Sequence, residues 1–319
     1  MIYVGLFLFS FLLTYLIKNY AIKNALLAEV NERSSHSVPT PHGGGIAIAM
    51  TWFVGIIYFY SLGEIDKHLF FALLVGMIIS IVSYLDDLFE LSPKIRLLTQ
   101  AFVAILGLYF LGGMKELDFF ILSIENQFLT NIFAFFMIIW FINLYNFLDG
   151  IDGYAGAEAI FLGVSGYLFF GDSYLLVLVM AVLGFLVWNW HKAKIFMGDV
   201  GSTLLGYNIA IFTIYYTNQD AQNFWVWIAL FGLFWFDATL TLIRRKKNGE
   251  KLSQAHKKHA YQRIVQAGWS HSKVVKMAIL INILLFCTVW IFPPFLSLLI
   301  TITILFFSVK KVDQLKGFS

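Results

Sequence analysis

The sequence predicts an all-α protein: a polytopic transmembrane helical bundle of about 11 spans, N-terminus outside and C-terminus cytoplasmic. Three observations predict it. Of 319 residues, 60% are hydrophobic and 13% charged, about half the charged share of an average soluble domain. Apolar runs close to the roughly 20 residues that cross a bilayer recur along the chain between short polar breaks. Lysine and arginine fall almost entirely in alternate loops.

The predicted spans are 1–18, 43–62, 68–85, 95–112, 128–145, 157–171, 173–190, 200–217, 223–243, 274–291 and 294–309. The sixth and eleventh are the shortest. Residues 1–17 carry no basic leader and no small-residue cleavage site, so they read as a retained helix and not a signal peptide. With no long hydrophilic segment, repeat or low-complexity tract, residues 1–319 read as a single integral membrane domain. The single cysteine, Cys287, lies inside an apolar run and excludes a disulfide framework. Orientation follows from the basic residues. Loops after odd-numbered spans, with the C-terminal tail, hold 20 of the 22 Lys and Arg; only Lys67 and Lys115 fall on the other side. The odd loops are therefore expected in the cytoplasm. Trp188, Trp190, Trp225, Trp227 and Trp290 read as interface-belt residues.

Residues able to do chemistry collect in the same loops. The first holds Ser37-Val-Pro-Thr-Pro-His-Gly-Gly-Gly45 and the second Asp86-Asp87-Leu-Phe-Glu90. The third holds Asn146-Phe-Leu-Asp149-Gly-Ile-Asp152-Gly153, and the fourth Lys194-Ile-Phe-Met-Gly198-Asp199-Val-Gly201-Ser202. The fifth runs from Arg244 to Arg263 and includes His256 and His259.

Asp86, Asp87, Asp149, Asp152 and Asp199 are placed to form one acidic site at the mouth of the bundle. Carboxylates at close range repel, and one takes up a proton unless a cation neutralises them. A hard divalent cation, held by one or two carboxylates plus substrate phosphates, resolves this; Mg²⁺ fits, with Mn²⁺ as a substitute. The competing reading is that each is a helix cap or a solvated loop charge. Paired Asp at the end of a membrane span, costly unless used, weighs against it. Asp149 and Asp152 share a face if their segment is helical. Asp199 and Ser202 open the eighth span, whose N-terminus would offer free N–H groups to a phosphate; Ser202 reads equally as a cap. Gly43-Gly44-Gly45 is either a close-packing helix start or backbone lying along a substrate, and it does not match the spaced-glycine nucleotide fingerprints.

The fifth loop is the most basic, which suits topology and anionic headgroups. His256 and His259, one helical turn apart, ask for more. Phosphate binding with Lys and Arg is the better reading; a zinc site lacks a second soft ligand. Asp237 either pairs with an arginine or faces the site. His191 and Lys194, beside Asp199, read as headgroup anchors.

These motifs, in this order, resemble the polyprenyl-phosphate N-acetylhexosamine-1-phosphate transferases (glycosyltransferase family 4) over about residues 33–265. Pro39-Thr-Pro with Gly43-Gly-Gly, Asp86-Asp87, Asn146-x-x-Asp149-Gly-x-Asp152-Gly and Phe196-Met-Gly-Asp199-x-Gly-Ser match the family's four motifs. In the fifth loop, His256-x-x-His259 followed by Tyr-Gln-Arg263 is similar to the branch that starts O-antigen and related glycans. The consecutive histidines of cell-wall precursor enzymes are absent. The resemblance implies attack by undecaprenyl phosphate on a UDP-N-acetylhexosamine, with loss of UMP. It implies Asp199 as first metal ligand, with Asp87 also on the metal. Asp86, Asp87 and Asp149 would be catalytic. Gly44, Gly45, Asn146, Asp152, His256, His259 and Arg263 would bind substrate. The implied setting is the bacterial cytoplasmic (inner) membrane with the active site facing the cytoplasm. Undecaprenyl phosphate, UDP-N-acetylhexosamine and membrane lipids are the expected partners; nucleic acid is not expected, and homodimer formation is left open.

Two rivals stand beside this. An intramembrane Mg²⁺-dependent prenyltransferase also uses aspartate-rich loops, but its acids come as two matching clusters, and Asp86-Asp87 does not match Asp149-x-x-Asp152. A secondary transporter would show repeats and charges near the midplane, and neither is present.

Overall fold

The computed structural model describes residues 1–24, 27–28, 39–252, 254 and 256–318. Ser37 and Val38 of the first-loop motif lie outside the described residues. Helices dominate in the order α1 (Ile2–Lys23), α2 (Gly45–Ser61), α3 (Lys67–Leu74), α4 (Gly76–Phe89), α5 (Pro93–Leu111), α6 (Gln127–Leu148), α7 (Tyr154–Phe170), α8 (Leu175–Asn189) and α9 (Asp199–Thr217). Then follow α10 (Asn223–Leu230), α11 (Gly232–Lys247), the short α12 (Ala260–Gln266), α13 (His271–Ile291) and α14 (Pro294–Leu315). Two antiparallel pairs of two-residue strands, β1 (Leu27–Ala28) with β2 (Thr40–Pro41) and β3 (Leu117–Asp118) with β4 (Ser123–Ile124), are the described strands.

Every predicted span coincides with a helix or a broken pair. By length and composition, six helices among the described residues suffice to cross a membrane, and a seventh if the bent pair α10–α11 counts as one span. The ninth predicted span, 223–243, breaks at Phe231 into α10 and α11, bent by 72°. Helix boundaries follow local chemistry. Asp66, Ser92, Asn126 and Ser270 accept first-turn N–H groups of α3, α5, α6 and α13, and Pro93 fits the first turn of α5. None of the five loop aspartates is an N-cap residue, and Asp149 is the C-cap of α6, so the capping reading does not account for the set.

The core is built around α9, which is buried along nearly its whole length and packs against α6, α4 and α2. A helix apolar on all sides belongs inside a bundle. Trp227, expected at the interface, instead stacks on Phe170, Phe212 and Tyr216 in the core. Trp188 does sit at the rim, with the ammonium groups of Lys18 and Lys194 over its ring at 4.6 and 5.4 Å.

Candidate active site

Asp86 and Asp87 sit side by side near the end of α4, and their carboxylates diverge. Asp86 Oδ1 accepts from Leu91 N–H at 2.7 Å, and Oδ2 from Arg96 Nη1 at 3.3 Å. With Arg96, Asn143, Asn146 and Asp199 it lines a cavity of about 210 Å³ between α4, α5, α6 and α9. Asp87 faces a second cavity of about 240 Å³, shared with α1 and His42. Asp87 Oδ2 is buried without a hydrogen-bond partner. It lies against Gly198, where a Cβ would come within 3.1 Å of it. Gly198 is the N-cap of α9 with φ +75°. Glycine there both turns the chain into the helix and admits the carboxylate.

Asp199 opens α9. Its Oδ1 accepts from Asn146 Nδ2 at 2.9 Å, and the same amide reaches Ser202 Oγ at 3.0 Å. Ser202 therefore serves this contact and is not the cap. Thr203 Oγ1 donates to Asp199 O at 2.7 Å and meets Ser83 Oγ at 2.9 Å, which ties the start of α9 to α4. Asp149 is enclosed by protein on most sides. Burial lifts its carboxyl to about 7, and the charges of Asp199 and Asp87 add to that. Asp87, Asp149 and Asp199 thus form one electrostatic cluster drawn from three distant segments. Such a cluster favours a cation. The donor set is all oxygen, and one oxygen of Asp87 is buried and unpartnered; both suit a hard divalent ion such as Mg²⁺.

The first loop buttresses the cluster. Gly44 N–H donates to Phe196 O at 2.9 Å, Gly45 N–H to Met197 O at 2.8 Å, and Phe196 N–H to Pro41 O at 2.8 Å. A Cβ on Gly45 would lie 2.6 Å from Gly201 Cα. Both glycines are buried with their N–H groups spent. Gly45 thus packs against Gly201 of α9 and Gly44 against the Phe185 ring of α8 and Phe196 O, the close-packing arrangement that was one of the two readings of these glycines.

Comparison with known proteins agrees with this constellation. Residues 69–217 match the glycosyl transferase family 4 profile. The chain is 32% identical over 290 residues to a probable undecaprenyl-phosphate N-acetylglucosaminyl 1-phosphate transferase of Bacillus subtilis, covering 85% of this chain and 78% of that protein. The chain belongs to glycosyl transferase family 4, the polyprenyl-phosphate N-acetylhexosamine-1-phosphate transferases. An undecaprenyl-phosphate alpha-N-acetylglucosaminyl 1-phosphate transferase of Thermotoga maritima is 28% identical over 282 residues, 86% of each chain. A decaprenyl-phosphate N-acetylglucosaminephosphotransferase of Mycobacterium leprae is 27% identical over 293 residues, 78% of this chain and 72% of that one.

The family 4 profile stops before the fifth loop, so packing alone places those residues. Buried Asp237 on α11 accepts from Ala260 N–H at 2.8 Å, Tyr261 N–H at 3.4 Å and Thr241 Oγ1 at 3.1 Å, with His259 Nδ1 3.6 Å away. It neither pairs with an arginine nor faces the acids; it holds the start of α12. Tyr261 stacks on His259 and donates its hydroxyl to Phe147 O at 3.1 Å, fastening the fifth loop to the third. The His256 and His259 rings are 4.9 Å apart. Burial, with His259 and Arg245 close by, holds His256 down to about 4, so at neutral pH it offers hydrogen bonds and not charge. Arg245 is buried and folds the loop back through Glu250 Oε2 at 3.0 Å, Lys251 O at 2.7 Å and Gln254 O at 2.9 Å.

Arg263 is also corrected. It is buried, donates to Asp313 Oδ1 at 2.7 Å and Lys316 O at 2.8 Å, and lies over the Phe318 ring. Arg244 makes a bidentate pair with the same Asp313, at 2.8 Å twice. Arg263 therefore ties α12 to the end of α14. Arg263→Ala is expected to destabilise the protein by about 1–3 kcal/mol and leave the KM for nucleotide sugar unchanged in the folded protein, as is Asp313→Ala. A raised KM in Arg263→Ala alone would return it to the substrate. Asp152 does not join the acid cluster. His191, His271 and Ala193 N–H surround it.

Arg96 is the residue the motifs left out: ten positions after Asp86, one turn into the next helix, it shares the cavity with Asp86 and Asp199. The sequence signal was a basic residue placed just inside an apolar span. Gln100 and Asn143, which exchange amide bonds at 3.4 and 2.7 Å on the cavity wall, carried no signal.

Proposed function

We propose that this chain transfers N-acetylhexosamine 1-phosphate from a UDP-sugar to undecaprenyl phosphate, releasing UMP. The site faces the cytoplasm at a bacterial inner membrane, and the product starts a lipid-linked surface glycan such as O-antigen. The observation that carries this is the cluster of Asp87, Asp149 and Asp199 at the N-terminal end of α9, with the unpartnered Asp87 oxygen, beside a polar cavity that holds Arg96. The relatives' names join a polyprenyl phosphate to N-acetylglucosamine 1-phosphate, which supports both substrate classes.

In this reaction an oxygen of the lipid phosphate attacks the β-phosphorus of the UDP-sugar. A new P–O bond forms, and the bond from that phosphorus to the oxygen of the α-phosphate breaks. UMP leaves with the electron pair. A phosphate monoester is already ionised near neutral pH, so no residue has to deprotonate it. Bound Mg²⁺, which Asp199 and Asp87 would hold, supplies charge neutralisation for the diphosphate and the leaving UMP. Arg96 offsets phosphate charge from the far wall of the cavity. Asn146 fixes the direction of the Asp199 carboxylate. The positive end of the α9 dipole points the same way. His256, uncharged at neutral pH, offers hydrogen bonds to the sugar.

Eleven spans with a cytoplasmic C-terminus fit this assignment. Contacts among the odd loops (Gly44 with Phe196, Tyr261 with Phe147) gather at one end of the bundle. Contacts of the even loops (Lys115 N with Asn218 Oδ1, and Ser173 O with Tyr3 at the start of α1) gather at the other.

The test is UMP release by purified protein given undecaprenyl phosphate, Mg²⁺ and a panel of UDP-sugars. Release should require both substrates, favour an N-acetylhexosamine and vanish with a chelator. Release that ignores the lipid phosphate, or none from any UDP-sugar, would contradict the assignment.

A further inference from the structure

At the end of the bundle away from the acids, the chain between α5 and α6 folds into a hairpin with an apolar tip. α5 carries Arg96 in its first turn and reaches this loop about 22 Å further on, at roughly 1.5 Å per residue. β3 pairs with β4, and Phe119-Phe120-Ile121-Leu122 turns between them. Ile121 is 96% exposed and Leu122 66%. We propose that this tip is an interfacial anchor: it inserts among lipid acyl chains at the bilayer surface and holds that end of the bundle at a fixed depth.

The backbone of the tip argues for lipid over water. A turn in water can leave its N–H groups to solvent, whereas one among acyl chains must satisfy them itself. Phe119 N–H donates to Leu122 O at 2.9 Å, Ile121 N–H to Phe119 O at 2.8 Å, and Phe120 N–H to Asp118 Oδ1 at 2.7 Å. The nearest carboxylate is thus spent on the turn, and no charged residue lies between Phe119 and Ile124. Phe120 has φ +68°, a conformation that costs a bulky residue energy. In return its ring packs against Trp225 and Phe295, each at 5.1 Å between centroids, while Ile121 and Leu122 are left pointing outward.

The neighbours say what covers the tip. Phe295 is the second residue of α14, so the tip is level with the start of that helix. α5, α6 and α14 are each long and apolar enough to cross a membrane, and Tyr109, Phe128, Leu129, Phe295 and Leu296 are exposed at this end of them. The tip therefore continues a surface that already meets lipid. Trp225 donates its indole N–H to Asp118 O, an apolar ring with a satisfied polar edge, as suits a membrane boundary. Trp225 belongs to α10, whose eight residues extend only about 12 Å and cannot span alone. Through Trp225 the anchor fixes this short half of the broken span. The anchor rests on the chain lying in a membrane and stands whether or not the sugar transfer is as proposed.

The experiment uses the full chain with Cys287→Ser, reconstituted in vesicles of phosphatidylethanolamine and phosphatidylglycerol. Ile121→Cys carries a polarity-sensitive fluorophore, and Glu64→Cys, exposed on the loop between α2 and α3 at the same end, is the control. Lipids with a nitroxide high on the acyl chain should quench the dye at 121 at least about threefold more strongly than the dye at 64. Iodide present on both sides should quench the dye at 64 and spare the dye at 121. Phe120→Gly keeps the left-handed backbone and removes the ring from between Trp225 and Phe295, so it should lower the lipid quenching at 121; undiminished quenching would remove the bracing role of Phe120. Equal iodide quenching at both positions, with no lipid quenching, would put the tip in water and overturn the anchor. Shielding of the dye at 121 from both quenchers would also overturn it, since a second copy or another protein would then cover the tip.

Discussion

Asp199→Asn is expected to cut turnover at least about a hundredfold, roughly 2.7 kcal/mol of transition-state stabilisation, in a protein that still folds. Asparagine keeps the size of the side chain and an oxygen that can accept from Asn146 Nδ2, the bond now made at 2.9 Å. The backbone bond from Thr203 Oγ1 to Asp199 O is untouched. Stability has two opposed terms. The helix N-terminus loses a favourable negative charge, worth about 0.3–1 kcal/mol, while repulsion from Asp149 is relieved. What goes is the anionic oxygen that a divalent ion would need. The measurement is kcat across a Mg²⁺ titration at saturating UDP-sugar and lipid phosphate, with the unfolding midpoint as a check on folding. Near-normal turnover at low Mg²⁺ would remove Asp199 from the metal site.

Gly45→Ala is expected to have the largest effect on folding. A Cβ at position 45 would lie 2.6 Å from Gly201 Cα and 2.9 Å from Met197 O. These obstacles are backbone, which cannot rotate aside as a side chain can. The first loop would have to move off α9, breaking the bonds from Gly44 and Gly45 to Phe196 O and Met197 O. Overpacking of this kind costs about 1–3 kcal/mol or more. It would also shift the start of α9, where Asp199 sits, so turnover should fall beyond the loss of folded protein. Gly5→Ala is the control: nothing lies within 4 Å of its added Cβ, and alanine is the better helix former. Equal unfolding midpoints for the two variants would show that the loop and α9 are not clamped as described.

Much of the site was legible because polar residues in an apolar chain stand out. Asp86, Asp87, Asp149 and Asp199 were singled out by their cost, since a carboxylate at the end of a membrane span is tolerated when it has work to do, and Asn146 by its motif. Composition could not separate the acids that share an environment from those that do not. Asp152 sits three residues from Asp149, yet the chain turns between them and delivers it to His191 and His271. Arg263 looked like a phosphate binder because it is basic and close to two histidines. Its true partner, Asp313, is fifty residues further on. The bend of 72° at Phe231 was invisible because hydropathy averages over a window and carries no backbone direction.

By itself the sequence determined that the chain is a helical membrane protein and about where its apolar helices fall. Those properties are local or one-dimensional: the apolar length of a segment and a cap beside its first turn. The tertiary structure alone decided which acids meet, that Gly44 and Gly45 pack closely with their N–H groups spent, and that Asp237 and Tyr261 carry the histidine loop to the third loop. These depend on distances between segments far apart in the chain. Such distances are set by how closely buried helices can approach, which a residue's identity constrains and its neighbours in space decide.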